Sequence, residues 1–271
     1  MPLTYMYITN RPQVARIAQN AGVDRVWIDL EYMGKEQRQK GMDSVKSRHQ
    51  LSDIRSIRPL LRKSALQVRV NPLHDGSPAE ISAAIDNGAD IVMLPMWKTA
   101  DDVKHFVELV NGRAKVLLLL ETKEADRNLA QTLEVKGVDE IHIGLNDLHL
   151  SYQKKFMFEL LSDGTVERLC RQIGAAGLPY GFGGVAKLGG GAVPAELVLA
   201  EHYRLGSSMA ILSRSFCNSG SRTDFDMLEQ EFDREMRSIR DYETFLAGQS
   251  KDWLEEQHKE LAARGDDVVR G

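Results

Sequence analysis

Cysteine is nearly absent from this chain: Cys170 and Cys217 are the only two in 271 residues. They form no C-x-x-C pair and have no histidine at zinc-finger spacing, so neither a disulfide framework nor a structural zinc site is expected. Both read as inert thiols. Long apolar runs are missing as well. Nothing approaches the roughly 18 consecutive apolar residues of a membrane span, and the opening MPLTYMYITNRPQ has no basic segment followed by an apolar one. A cytoplasmic protein without a membrane partner is expected. Basic excess is the third absence: the net charge of -4 is spread along the chain with no basic block, which excludes nucleic acid as an expected partner. No Walker pattern occurs, and YITNRPQ, after the first apolar run, carries no glycine-rich phosphate fingerprint. That disfavours an open, doubly wound nucleotide-binding sheet.

What the sequence does have is alternation. Short runs rich in Val, Ile and Leu occur near Thr4 to Ile8, Arg25 to Asp29, Leu66 to Val70, Asp90 to Pro95, Ala114 to Glu121, Glu140 to Gly144, Pro179 to Gly183 and Ser207 to Leu212. Stretches of helical period separate them, such as PQVARIAQNAG and SPAEISAAIDNGA, the latter with Pro78 at a first helical position. Eight such repeats in about 250 residues predict an α/β fold, the (β/α)8 TIM barrel. Residues 1–222 form this expected barrel, and 223–271 form an extended C-terminal helical segment. There Phe225, Leu228, Phe232, Met236, Ile239, Tyr242 and Leu246 recur at spacings of three and four, the stripe of an amphipathic helix. The surplus beyond one covering helix predicts packing on a neighbouring subunit; the alternative is that it folds back over its own barrel.

Barrel active sites lie at the C-terminal ends of the strands. The residues there are Asp29 and Glu31 after the second strand, Arg69 and Asn71 at the third, Glu121 after the fifth and Asp147 after the sixth. Glu121 and Asp147, on adjacent strands, have the hard oxygen chemistry that suits Mg²⁺ or Mn²⁺, although a lone strand-end glutamate is more often a solvated or capping group. Arg69, inside an apolar run, needs an anionic partner: a structural salt bridge with Glu31, or a substrate.

The blocks VRVNP, GADIVMLPM, LLETKEADRNL and VKGVDEIHIGLNDLHLS resemble successive blocks of the metal-dependent hydroxy-oxo-acid aldolase and citrate lyase beta-subunit family, within the phosphoenolpyruvate/pyruvate-binding barrel superfamily. The resemblance covers Ala21 to Ser151 well and becomes general from there to Ser215. It implies Glu121 and Asp147 as ligands of Mg²⁺ or Mn²⁺, Arg69 as the contact to the oxygen of a 2-oxo acid or its enolate, and a hexamer or trimer of dimers. Three departures stand out. Tyr32 follows Glu31 where aldolases usually have a proton-transferring histidine, Leu119 stands where they have glutamine, and the stretch from Pro95 to Glu121 is short.

Candidates for the missing base are His74 and His149 in loops at the mouth, while His142, within the sixth strand, reads as an interior residue. GFGGVAKLGGGAVP is glycine-rich enough to cradle an anion with Lys187 assisting, or to serve as a flexible lid; Arg214 and Arg222 are further anion contacts or solvated loop charges. The expectation is therefore a carbon-carbon lyase or aldolase acting on a small 2-oxo acid. Arg69, Glu31, His74 and His149 are its catalytic candidates, Arg69, Asn71 and Lys187 bind substrate, and Glu121 and Asp147 bind metal. The rivals are a decarboxylase or thioester-cleaving lyase on the same scaffold, and a degenerate barrel kept for binding or assembly.

Overall fold

Eight parallel strands close into a barrel in chain order: β1 Thr4–Ile8, β2 Arg25–Asp29, β3 Ala65–Arg69, β4 Ile91–Leu94, β5 Lys115–Leu120, β6 Glu140–Ile143, β7 Tyr180–Val185 and β8 Met209–Leu212. The computed structural model describes residues 2–34, 49–213 and 216–270. Each strand lies within a residue or two of its predicted place. The strands are buried on both faces, which is why they read as continuous apolar runs. One face fills the barrel with Met6, Trp27, Met93, Leu117, Leu119 and Met209, and the other packs outward against the helices.

Two details shape the interior. At the N-terminal end, Arg25 of β2 reaches across to Glu140 of β6, donating from Nη1 at 2.6 Å and from Nη2 at 2.9 Å. This buried bidentate pair floors the barrel. On the far side, Gly181 of β7 lies so close to β8 that a Cβ would stand 2.1 Å from the carbonyl oxygen of Met209, so only glycine fits.

The C-terminal helix Phe225–Ala247 is capped by Asp224, whose side chain accepts from the Met227 N–H at 3.0 Å. It packs on the helices Pro12–Asn20 and Ala195–Arg204. Leu228, Phe232, Met236, Ile239 and Leu246 of the predicted stripe are all buried within this chain, and Phe232 meets Tyr7 edge to face at 5.0 Å. Arg240 lies over the Tyr5 ring, 4.5 Å from its centroid, and Glu243 accepts from the Leu3 N–H at 2.7 Å. The following helix, Lys251–Arg270, covers Ala195–Arg204 and Glu159–Ser162. Its Leu261 is buried and its His258 pairs with Glu201 at 3.1 Å. Most of the apolar stripe is buried against the chain's own helices, with Phe225 and Tyr242 half-buried, and residues 223–270 share one core with what precedes them. Among the described residues, no helix is long and apolar enough to cross a membrane. Both cysteines are buried, and burial pushes their thiols upward, which keeps them protonated and unreactive.

Candidate active site

β2 and β3 pair so that Asp29 stands beside Arg69, and the pleat turns both side chains inward. Arg69 Nε donates to Asp29 Oδ1 and Nη2 to Oδ2, each at 2.8 Å, the planar fork geometry that arginine and carboxylate share. Nη1 lies 3.2 Å from Glu31 Oε2, and the guanidinium sits 5.1 Å from the Trp27 ring centroid. Burial opposes the charge on Arg69, but Asp29, Glu31 and, more weakly, Glu121 hold its pKa above the ordinary value. The result is a fixed, permanently charged group at the catalytic end of the barrel. Its expected partner Glu31 is present, yet the closer and bidentate partner is Asp29.

Asn71, expected to bind substrate, has its amide engaged by the chain itself. Oδ1 accepts from the backbone N–H of Tyr32 at 3.0 Å and of Met33 at 3.1 Å, while Nδ2 donates to Glu80 Oε1 at 2.7 Å. Tyr32, which follows Glu31 in place of the family's histidine, is 69% exposed. Leu119 faces the apolar interior.

Glu121 follows β5 directly and is buried. Its Oε1 accepts from the backbone N–H of Met96 at 3.1 Å, and Met96 holds a left-handed φ of 55°, a conformation that non-glycine residues keep only where the surroundings enforce it. Thr122 explains why a polar pair ends the apolar run: its hydroxyl caps the helix Lys123–Arg127 by accepting from the Ala125 N–H, and donates to the Trp97 carbonyl. Gly144, after β6, lies against Glu121, so that a Cβ there would stand 3.0 Å from Glu121 Cβ and 3.1 Å from Oε2. The helix Leu145–Ser151 rises from Gly144 with Asp147 in its first turn. Glu121 and Asp147 therefore belong to one corner of the mouth. Among the described residues, no group of three or more His, Cys, Asp or Glu side chains comes together as a metal cage.

The histidines separate. His149 is buried in the helix Leu145–Ser151, with Nδ1 3.2 Å from the Leu145 carbonyl. His74 folds onto its own loop, with Nδ1 3.1 Å from the Pro72 carbonyl and 3.0 Å from Ser77 Oγ. It lines a cavity of about 390 Å³ with Asp101, Asp102 and His105 that includes none of Arg69, Glu31, Glu121 or Asp147. His142 is interior, as expected: Nε2 faces the Gly183 carbonyl at 3.1 Å, and burial pushes its pKa down to about 4.

In the glycine-rich stretch, two backbone N–H groups have acceptors within the chain. The Gly189 N–H donates to Glu196 Oε1 at 2.7 Å and the Gly190 N–H to the Lys187 carbonyl at 3.0 Å, so the chain supplies its own acceptors. Lys187 itself is exposed. Arg222 pairs with Glu231 at 2.9 Å, and Arg214 lies outside the described residues. Sequence reasoning missed Glu80, Met96 and Gly144, and it ranked Asp29 behind Glu31. For Asp29 a signal existed, since Arg25, Trp27 and Asp29 alternate on the inward face of one strand.

The fold agrees with comparisons to known proteins. The model of the HpcH/HpaI aldolase/citrate lyase family matches residues 4–158, more than half of the chain. A 4-hydroxy-2-oxo-heptane-1,7-dioate aldolase of Salmonella paratyphi A is 28% identical over 101 residues, 26% of this chain and 38% of the relative. One of the same description from Shigella boydii is 24% identical over 164 residues, 49% of this chain and 57% of the relative. The chain thus spans less than two thirds of the length of these curated relatives. Among solved structures, a HpcH/HpaI aldolase from Desulfitobacterium hafniense superposes with a TM-score of 0.61 at 16% identity, covering 88% of this chain and 93% of that one. Citrate synthase SbnG gives 0.61 at 17%, covering 86% and 95%. At such identities the structures speak for the fold alone, and the family match carries the assignment: the chain belongs to the HpcH/HpaI aldolase/citrate lyase family.

Proposed function

We propose that the protein is a divalent-cation-dependent carbon-carbon lyase that cleaves or forms the bond beside a small 2-oxo acid through a pyruvate-like enolate. The observation that carries this reading is a guanidinium fixed by two buried carboxylates at the barrel end that also bears Glu121 and Asp147. Glu121, directly after β5, and Asp147, in the first turn of the helix after β6, are hard oxygen donors, and Gly144 between them brings no side chain against Glu121. That donor set fits Mg²⁺ or Mn²⁺, with water and substrate completing the shell. Bound there, such a cation supplies Lewis-acid polarisation of the substrate's ketone and carboxylate oxygens.

The chain's own residues do the rest. In the cleavage of a 4-hydroxy-2-oxo acid, the 4-hydroxyl loses its proton, the C3–C4 bond breaks, C4 leaves as an aldehyde, and the electron pair becomes the enolate of the 2-oxo acid. Arg69 keeps donors beyond the three engaged by Asp29 and Glu31 and faces the developing oxyanion; preorganised donors of this kind are the usual source of such stabilisation. Glu31 orients Arg69. His149 is the better candidate to carry the proton. Its Nδ1 sits against a carbonyl, which places the ring proton there and leaves Nε2 basic in the neutral form, whereas His74 faces a separate cavity.

The partner reading, a homo-oligomer built as a hexamer or trimer of dimers, rests on the family resemblance. The functional reading is tested by Mn²⁺ calorimetry combined with pyruvate release from a 4-hydroxy-2-oxo acid. Wild type binds Mn²⁺ and releases pyruvate, and Asp147→Asn loses both while keeping its thermal transition. Unchanged Mn²⁺ affinity in Asp147→Asn would overturn the metal assignment.

A further inference from the structure

Asn71 and Glu80 lie behind the arginine, and their bonding pattern has one chemical solution. Asn71 Oδ1 accepts from two backbone donors, the N–H groups of Tyr32 and Met33 at 3.0 and 3.1 Å, and Nδ2 donates to the Glu80 carboxylate at 2.7 Å. Backbone N–H groups only donate and a carboxylate only accepts, so the orientation of the amide is fixed by its partners. The Asn71 N–H also points to Glu80, at 3.3 and 3.4 Å from its two oxygens. Glu80 stands in the first turn of the helix Ser77–Asp86, where a carboxylate is favoured by the helix dipole.

This network reaches Arg69 through the strand end. The Leu30 N–H continues the ladder to the Arg69 carbonyl at 2.9 Å, the Glu31 N–H donates to Asp29 Oδ1 at 3.2 Å, and the next two N–H groups are the ones Asn71 holds. Glu31 is therefore fixed on both sides, with its carboxylate 3.2 Å from Arg69 Nη1. Asn71 is buried, and this latch takes both acceptances of its Oδ1 and one of the two Nδ2 donors.

We infer that Asn71 and Glu80 form a positioning latch that sets the aim of Arg69 by holding Glu31, and that neither residue touches substrate. This rests on the reading of Arg69 as the enolate's charge partner. Asparagine is required because the latch needs two acceptances and one donation from a single side chain. Asn71→Asp keeps the acceptor but sets a carboxylate against Glu80. Asn71→Asp combined with Glu80→Gln restores one donor and one acceptor with the roles exchanged.

The test compares wild type, Asn71→Ala, Asn71→Asp and the double variant in two readouts. Deuterium uptake by the peptide containing Tyr32 and Met33, followed by mass spectrometry, reads the latch directly. Methyl-proton exchange of pyruvate with the Mg²⁺-loaded protein reads Arg69. We expect faster uptake in both single variants and recovery in the double variant. In the pyruvate assay kcat should fall on the order of tenfold to a hundredfold, the range set by displacement of a positioned group, with KM little changed. Unchanged uptake in Asn71→Ala overturns the latch, as does lost protection with kcat intact, or a double variant no better than Asn71→Asp. A wild type that binds metal yet exchanges nothing overturns the reading of Arg69 and with it the catalytic half of the inference, while the uptake measurement still decides the latch.

Discussion

At the scale of single residues, Arg69 is bound up with both stability and chemistry. Asp29 and Glu31 are buried around it, and removing the cation leaves two carboxylates uncompensated, which costs about 3–5 kcal/mol when a buried pair is broken. Arg69→Ala should therefore lower the urea midpoint markedly, whereas Arg69→Lys keeps a charge and loses only the fork; equal midpoints for wild type and Arg69→Ala would remove the buried-pair account. Gly144 gives a cleaner separation of fold from function. A methyl group there presses on Glu121 at 3.0 to 3.1 Å, so Gly144→Ala should weaken Mn²⁺ binding in calorimetry with little change in thermal unfolding. Affinity equal to wild type would mean that Glu121 takes no part in cation binding. Arg69 was legible in the sequence because a charge inside an apolar run requires a partner, whereas Glu121 stood out only together with Asp147 after the next strand. The roles of Asn71 and Gly144 were not, because they depend on which loop returns beside which.

The elements divide the barrel into a working end and a structural end. At the floor, Arg25 of β2 and Glu140 of β6 join opposite walls, far along the strands from Glu121 and Asp147. Breaking one side with Arg25→Met should destabilise the fold by about 3–5 kcal/mol, and adding Glu140→Leu should recover most of it, since a well-packed apolar pair often replaces a buried ion pair without loss. Urea titration checks this, and Mn²⁺ affinity of the double variant should match wild type. Strand placement was readable because parallel strands buried on both faces leave an unmistakable apolar signature. The loops were harder. The stretch around Lys187 reads equally as an anion cradle or a flexible lid, and what no spacing in it announces is that Glu196, seven residues after Gly189, returns to accept the Gly189 N–H.

Across the whole molecule, pH acts through histidines buried in neutral form. Burial holds His142 near pKa 4 and His202 near 3, both below the ordinary 6.5. Well above pH 6.5 neither state is protonated and stability is at its full value. As pH falls from 6.5 towards 4 the unfolded chain takes up protons that the folded one refuses, and each histidine then removes about 1 kcal/mol of stability per pH unit. Replacing His142 with Gln should flatten the fall in unfolding free energy between pH 7 and pH 5, and an unaltered slope would contradict the assignment. The C-terminal helices show a further limit of sequence: periodicity announced a buried face over Phe225 to Leu246 but not which surface buries it, and for most of it the chain's own helices do. Assembly is a separate question that light scattering of the full chain answers. The central claim, that the cation site and Arg69 together stabilise an enolate, is tested most directly by deuterium incorporation into the methyl group of pyruvate, followed by NMR in the presence of Mg²⁺ and without any aldehyde. The account predicts exchange well above that of free Mg²⁺, slowed by roughly 10² to 10³ in Arg69→Ala, the usual loss when one oxyanion donor is removed, and partly recovered in Arg69→Lys. Exchange by the metal-loaded wild type no faster than by free Mg²⁺ would contradict it.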